Sequence, residues 1–242
     1  MDELQRIKSQ TWFYEFPLPD GTTTTSYLEP EVAKIHTTRE KVLRRYLENS
    51  GCPRDTALDV SCHEGFFSHI LGDYFASVTG IDKNEGSLDL ARRMAAFLKR
   101  DNVAFRYCPV EKASLNLQSD FVLCYGLIYH IENPMQVLRK LAELTGKVLC
   151  VETQILPFSV SFKLEDGWYK NQRELRGLFG LCADYPTSKE GGLTEYALVP
   201  SREAVVHILQ NLGFATVSVY EPADDDYEQY VRGSRIIVFA EK

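Results

Sequence analysis

Two aspartates lie at or next to the ends of two apolar runs, near the start of a region in which predicted strands and helices alternate. Asp59 lies in the run TALDV, residues 56–60, and Asp82 directly follows the run ASVTGI, residues 76–81. The carboxyl ends of neighbouring parallel strands meet at one edge of a sheet, where open α/β sheets bind their ligands. A carboxylate there accepts hydrogen bonds from both hydroxyls of a ribose. The pattern predicts an adenosine-bearing ligand contacted by Asp59 and Asp82, against the alternative that both only cap helices.

The turn after the first run has the sequence VSCHEG and ends at Gly65. A dinucleotide would require G-x-G-x-x-G, and only Gly65 of that pattern is present. Glu64 would repel a pyrophosphate, so a phosphate-free nucleoside fits better. Ser61 can approach the ligand if its φ stays negative, and we expect His63 either to contact the ligand or to point into solvent.

A further apolar run ends at Tyr125 and continues into the segment GLIYHIENP, which contains Tyr129 and His130. Histidine is the side chain most often used as a general base, so His130 is the catalytic candidate; the alternative is a packed histidine at a helix start. Tyr125 and Tyr129 are expected to shape the pocket wall, and a hydroxyl of either could orient a nucleophile.

Five further substrate candidates lie outside the segment GLIYHIENP. Four of them belong to regions that could cover the carboxyl edge of the sheet. Glu152 ends the fifth apolar run and either faces the substrate or caps a helix. The others are aromatic or basic residues that would line a substrate pocket or form a small core of their own: Tyr14, Trp168, Arg173 and Tyr196.

Seven short apolar runs alternate with segments of helical periodicity, which is typical of a parallel sheet covered by helices on both faces. The polar connection 221–233 is too short for a helical crossover, so the last two strands are predicted to be antiparallel. The predicted fold class is α/β, a Rossmann-like seven-stranded mostly parallel sheet with one antiparallel strand. The predicted strands are 56–60, 76–81, 103–107, 121–125, 147–151, 216–220 and 235–240.

Two regions fall outside this alternation. Residues 1–50 form an N-terminal aromatic and helical extension, and 153–200 is far longer than an ordinary strand-to-helix connection. Neither has the apolar periodicity of an independent core. We expect the extension to cover the site, and residues 51–242 to form one domain with 153–200 as a lid.

The composition excludes several classes of protein. The 242 residues carry a net charge of −7, which gives no global attraction to nucleic acid or to an anionic membrane. The six cysteines show no metal-ligand spacing, so no metal is expected, and several lie in apolar runs, which favours a reducing, cytoplasmic setting. No signal peptide or membrane-spanning run is recognisable.

The motifs resemble those of class I S-adenosylmethionine-dependent methyltransferases. LDVSCHEG at 58–65 is similar to the family's first loop, GID at 80–82 to its ribose acid, and YGLIYHIENP at 125–134 to the segment after its fourth strand. The resemblance implies S-adenosylmethionine as the cofactor. It also implies a list of cofactor contacts: Asp59, Ser61, His63, Gly65, Asp82, Lys83, Val110, Glu111 and Tyr125.

A narrower similarity is to the group related to transfer-RNA wobble-uridine methyl- and carboxymethyltransferases and their small-molecule relatives. It is carried by WFY at 12–14, LPDG at 18–21 and VPSR at 199–202.

Three hypotheses about function follow. The first is O- or N-methylation of a small molecule, which the acidic chain and its aromatic covering regions favour. The second is modification of transfer RNA, which needs a basic face, and the third is a non-catalytic relative that binds the cofactor. The acceptor and the oligomeric state are not predicted.

Overall fold

The computed structural model describes residues 2–158, 162–164, 173–184 and 195–242, with side chains for 2–158, 174–184 and 195–242. Its elements in chain order are α1 (Glu3–Ser9), β1 (Thr11–Trp12), β2 (Thr25–Ser26), α2 (Pro30–Asn49), β3 (Thr56–Val60), α3 (Phe66–Gly72), β4 (Ser77–Asp82), α4 (Glu85–Leu98), β5 (Val103–Tyr107), β6 (Ser119–Tyr125), α5 (Pro134–Leu144), β7 (Thr145–Gln154), β8 (Phe162–Leu164), β9 (Arg173–Leu175), β10 (Phe179–Ala183), β11 (Tyr196–Pro200), α6 (Arg202–Asn211), β12 (Thr216–Val219), α7 (Glu228–Val231) and β13 (Arg235–Glu241).

Within the described residues, seven strands form one sheet in the order β12-β13-β7-β6-β3-β4-β5. Strand β13 is antiparallel to both of its neighbours, and the pairs among β3 to β7 are parallel. The predicted α/β class, the sheet and its one antiparallel strand are therefore confirmed. The connection 221–233, for which no helix was predicted, contains the single turn α7.

Each face of the sheet is covered by helices, because alternate residues of the strands point to opposite sides. Ala57 of β3 belongs to the core formed with α2, α3 and α4, whereas Leu58 belongs to the core formed with α5 and α6. Local signals begin the helices: Asn84 caps α4 by accepting from the Ser87 amide, and Asn133 caps α5 in the same way.

The N-terminal extension packs against the first of these cores. Helix α1, which the sequence reading did not predict, is capped by Asp2, and the Trp12 indole donates to the Ile7 carbonyl at 3.0 Å. Tyr14 stacks on Phe66 of α3 with ring centroids 5.0 Å apart. The extension is thereby joined to the helix that follows the predicted cofactor loop.

None of the helices in the described ranges is both long and apolar enough to cross a membrane.

Candidate functional site

A cavity of about 230 Å³ lies at the carboxyl edge of the sheet, at the ends of β3, β4, β5 and β6. Several predicted residues line it, together with Cys108, Leu127 and others that the sequence reading did not assign. The predicted residues that line it are Ser61, Asp82, Lys83, Val110, Glu111 and His130. The topology thus brings together most of the expected cofactor contacts and the candidate base.

Asp82 lies at the tip of β4 and organises the loop around it. One carboxylate oxygen accepts from the His63 amide at 2.9 Å and the other from the Asn84 amide at 2.8 Å. The side chain is buried yet lines the cavity. A carboxylate held by two backbone amides retains free lone pairs, since each of its oxygens can accept more than one hydrogen bond.

The loop between β3 and α3 uses left-handed backbone at alternate positions. The φ angles are 61° at Ser61, 52° at His63 and 81° at Gly65. The negative φ set as the condition for a close approach of Ser61 to a ligand is therefore not met. A Cβ at Gly65 would lie 2.5 Å from the Phe105 ring, so only glycine fits there, whereas Ser61 and His63 bear the cost of an unfavourable conformation.

His63 neither lines the cavity nor points freely into solvent. Its ring packs against Phe13 and Tyr14 of the N-terminal extension, with centroids 4.9 and 6.0 Å away. The neighbouring Glu64 is buried and accepts from the Phe13 amide at 2.8 Å. Burial raises the pKa of Glu64 to about 7. The loop therefore contacts the cofactor cavity on one side and the extension on the other.

Asp59 differs from the prediction of a direct cofactor contact. It is buried, does not line the cavity, and accepts a hydrogen bond of 2.6 Å from the Ser68 hydroxyl. Burial raises its pKa to about 7, with the charge of Asp82 adding to the effect. Its place beneath the loop indicates that it ties β3 to α3.

His130 lines the cavity, and its Nδ1 lies 3.1 Å from Oδ2 of Asp184. Asp184 follows β10, so the contact joins the region 153–200 to the segment after β6. A carboxylate only accepts, which assigns the proton to Nδ1 and leaves Nε2 as the acceptor. Burial, together with the positive charges of Arg235 and Lys83, lowers the pKa of His130 although Asp184 raises it, so the neutral imidazole predominates at pH 7. Sequence reasoning missed Asp184, which no motif marks.

Glu152 was predicted to face substrate or cap a helix, and the structure contradicts both. It is fully buried at the end of β7, where it pairs with Arg39 of α2 and, at 2.9 Å, with Arg235 of β13. The Tyr230 hydroxyl and the Gly126 amide also donate to it, at 3.0 and 3.1 Å. Its carboxylate is thus committed to partners within the protein.

The predicted tyrosines lie around this ion-pair cluster rather than along the cavity. Tyr125 is buried against Phe67, and its hydroxyl accepts from the Cys150 thiol at 3.5 Å, so a direct cofactor or catalytic contact is not supported by its position. Tyr129 accepts from Arg235 at 3.2 Å. Tyr14 is buried, and burial raises its pKa well above the ordinary value.

Three substrate candidates belong to the region 153–200, and the structure describes the side chain of one of them. Tyr196 begins β11, is 54% exposed, and lines a second depression with Leu181 and with Glu132, which also lines the cavity. Trp168 and the side chain of Arg173 lie outside the described residues.

No group of three or more metal-ligating side chains is found in the described parts of the chain. The cavity instead offers a carboxylate for a ribose and an apolar wall for a purine, at Asp82 and Val110. These residues fit an adenosine-bearing cofactor.

The methyltransferase-domain family matches residues 53–177, slightly more than half of the chain. The chain therefore belongs to this family of methyltransferases. Its fold and motifs are those of the class I enzymes that use S-adenosylmethionine, which confirms the predicted class and its cofactor.

Curated relatives match a shorter stretch. Ubiquinone biosynthesis O-methyltransferase of Bordetella avium (strain 197N) is 36% identical over 89 residues, which are 36% of this chain and 36% of that protein. The protein of the same name from Pseudomonas paraeruginosa (strain DSM 24068 / PA7) is 33% identical over 94 residues, 38% of this chain and 40% of that protein. The match thus spans well under half of either relative.

Solved structures extend the fold similarity over the whole chain. The N-terminal domain of EvdMO1, crystallised in the presence of SAH and D-fucose, has a TM-score of 0.71 at 20% identity and covers 100% of this chain and 97% of its own. Magnesium protoporphyrin IX methyltransferase (ChlM) from Synechocystis PCC 6803, with bound SAH, has a TM-score of 0.59 at 15% identity, with 100% and 93% covered.

Proposed function

We propose that the protein transfers a methyl group from S-adenosylmethionine to an oxygen or nitrogen atom of a small-molecule acceptor. The observation that carries the proposal is the position of Asp82, which lies at the tip of β4 and lines the same cavity as the apolar Val110. The names of the curated relatives support an O-methylated acceptor.

The residues that would hold the cofactor are those at the cavity wall. Asp82 would accept from the ribose hydroxyls, and Val110 with Cys108 would pack against the adenine. Ser61 lines the cavity in spite of its left-handed backbone and would lie beside the ligand. When bound, S-adenosylmethionine supplies a methyl group already activated by a sulfonium.

Methyl transfer would then depend on the position of the acceptor atom and on the removal of its proton. The protein has to align the acceptor atom and exclude water, since the methyl group needs no further activation. His130, neutral and oriented by Asp184, would take the acceptor's proton on Nε2. The region 153–200 would cover the acceptor, because Asp184 contacts His130 and the Leu198 amide donates to the Ile131 carbonyl at 3.0 Å.

A transfer-RNA acceptor stays a prediction that no contact in the described residues supports, and the net charge of −7 weighs against it. A cytoplasmic setting is likewise an expectation from the cysteine content alone.

Calorimetric titration with S-adenosylhomocysteine and with NAD tests the proposal. We expect S-adenosylhomocysteine to bind and NAD not to bind, because the turn after β3 lacks the glycine pattern that a pyrophosphate requires. Binding of NAD in preference to S-adenosylhomocysteine would overturn the cofactor assignment. Methyl transfer from radiolabelled S-adenosylmethionine to a panel of hydroxylated and amino compounds would then identify the acceptor class.

A further inference from the structure

Two neighbouring side chains of helix α2 hold buried polar atoms that have no hydrogen-bond partner among the described residues. They are Nδ1 and Nε2 of His36 and Nε of Arg39. His36 is 7% exposed and Arg39 5%. Buried polar groups are nearly always hydrogen-bonded, so three orphaned atoms on one face of a helix indicate a missing polar partner.

These atoms lie beside the cofactor loop. The His36 ring is 4.5 Å from the ring of Tyr14, which in turn packs near His63 of the loop. On the other side, a Cβ at Gly126 would lie 3.4 Å from Nη2 of Arg39, and Gly126 immediately precedes Leu127, which lines the cavity. The orphaned atoms therefore lie between the loop after β3 and the tip of β6. Neither His36 nor Arg39 lines the cofactor cavity, but each of these two segments contributes a residue to its lining, Ser61 and Leu127.

The charges around Arg39 do not balance within the described part of the chain. Arg39 and Arg235 are both buried, and both form their ion pair with the single carboxylate of Glu152. Arg235 is also hydrogen-bonded to Gln229 and Tyr129, so its donors are engaged. His36 adds no negative charge, and its burial beside Arg39 lowers its pKa well below the ordinary value. The two buried guanidinium groups therefore exceed their one carboxylate by one positive charge, and Nε of Arg39 is left as an unpaired donor among the residues described.

We propose that His36 and Arg39 form a subsite for a carboxylate group of a ligand that binds at this sheet edge. Arg39 supplies a charged donor, and neutral His36 supplies one N–H. The inference rests on the proposed function, because the carboxylate has two sources: the acceptor or the amino-acid end of the cofactor. Charge balance favours the acceptor, since the cofactor brings a sulfonium cation of its own.

The test compares matched ligands. Benzoate and benzamide share a ring and differ in charge, so their affinities are measured by calorimetry with and without S-adenosylhomocysteine. S-adenosylhomocysteine is compared in the same way with 5′-methylthioadenosine, which lacks the amino-acid end. We expect a preference of at least about tenfold for the carboxylate-bearing member of one pair, equivalent to about 1.4 kcal/mol.

His36→Phe is the informative variant. It removes both orphaned nitrogens and keeps a ring of similar shape, so the fold should be as stable as the wild type or more stable, while the carboxylate preference falls. A purely structural histidine would show the opposite, with lower stability and unchanged binding. Arg39→Lys, which keeps the charge but loses the planar donor fork, should also weaken the preference. Arg45→Met, at an exposed position of the same helix, is the control and should leave binding unchanged.

The outcomes separate the two sources. A preference for benzoate that His36→Phe reduces assigns the subsite to the acceptor, and a change confined to S-adenosylhomocysteine assigns it to the cofactor. Equal affinities within both pairs, or a preference that neither variant changes, would overturn the subsite. The affinities for benzoate and benzamide are also measured without S-adenosylhomocysteine. If the protein does not bind S-adenosylhomocysteine, the proposed function is refuted, but the benzoate comparison still tests the carboxylate subsite.

Discussion

Oδ2 of Asp184 lies 3.1 Å from Nδ1 of His130, and 54 residues separate the two in the chain. Asp184 is part of the segment after β10, whereas His130 ends the short helical turn that follows β6. The contact fixes the imidazole and joins the described residues around β10 to the edge of the cavity. If His130 is the base, these residues would help to keep bulk water from it during transfer.

If His130 is the general base, its removal should lower kcat far more than it changes KM. We expect His130→Ala to reduce kcat by about 100-fold. The rate should fall as the pH decreases through the pKa of His130, which burial places below the usual 6.5. A pH–rate profile with an acidic limb above that value, or an unchanged kcat in the variant, would contradict the assignment.

Asp184→Asn distinguishes the orientation of the His130 ring by residue 184 from the effect of the negative charge of Asp184. The amide oxygen can still accept from Nδ1, but the charge that favours the imidazolium is lost, so the acidic limb should move to lower pH and kcat should fall less than in His130→Ala. Asp224→Asn, at an exposed position in the acidic turn before α7, is the matched control. A profile identical to that of the wild type would show that Asp184 does not act through His130.

Asp82→Ala tests the ribose contact. The substitution removes the carboxylate that lines the cavity and also its bonds to the His63 and Asn84 amides. The affinity for S-adenosylhomocysteine should drop by tenfold or more, which is about 1.4 kcal/mol. Asp89→Ala on the exposed side of α4 serves as control. Equal calorimetric affinity in wild type and Asp82→Ala would remove the ribose assignment.

The sheet and the edge that carries the cavity could be predicted because their signals are local. Apolar runs mark the strands, and the order of runs and helices determines which tips meet, so Asp82 and His130 reach one cavity from distant positions. Ser61 illustrates a limit: its residue type gave no sign of a left-handed φ, which the path of the loop imposes.

The ion-pair cluster could not be predicted, since its partners are set by tertiary packing. Glu152 pairs with Arg39, 113 residues earlier, and with Arg235, 83 residues later. Seen in sequence, an acid at the end of a strand resembles a substrate contact. Only the packing of α2 and β13 against β7 shows that its oxygens are already occupied.

Glu152→Gln should be strongly destabilising. It leaves two buried guanidinium groups without their carboxylate, which typically costs about 3–5 kcal/mol. Urea unfolding followed by circular dichroism measures this loss. Glu143→Gln, which breaks an exposed pair with Lys140, should cost less than about 1 kcal/mol. A loss for Glu152→Gln no greater than that of Glu143→Gln would contradict the role assigned to the cluster.

The same cluster should contribute to unfolding in acid. Burial alone would raise the pKa of Glu152, but Arg39 and Arg235 outweigh it and lower the pKa below its usual 4.5. A carboxyl with a depressed pKa stabilises the fold above the pKa of the unfolded chain and loses that contribution as the pH falls through the folded value. Glu152→Gln should therefore show a weaker loss of stability in this acidic range than the wild type.

The carboxyl group of Asp59 should change the stability of the fold with pH in the direction opposite to that of Glu152. Burial, with the charge of Asp82, raises its pKa from 3.8 to about 7, although the Ser68 hydroxyl favours the charged form. Between these values the folded protein binds a proton that the unfolded chain has released, so stability decreases as the pH rises across this window, by up to about 1.4 kcal/mol per pH unit. Asp59→Asn, which keeps an acceptor for Ser68, should flatten the dependence, leaving the part contributed by Glu64. The free energy of unfolding from urea titrations at several pH values measures both slopes, and equal slopes in the two proteins would show that Asp59 is ionised in the native state throughout this range.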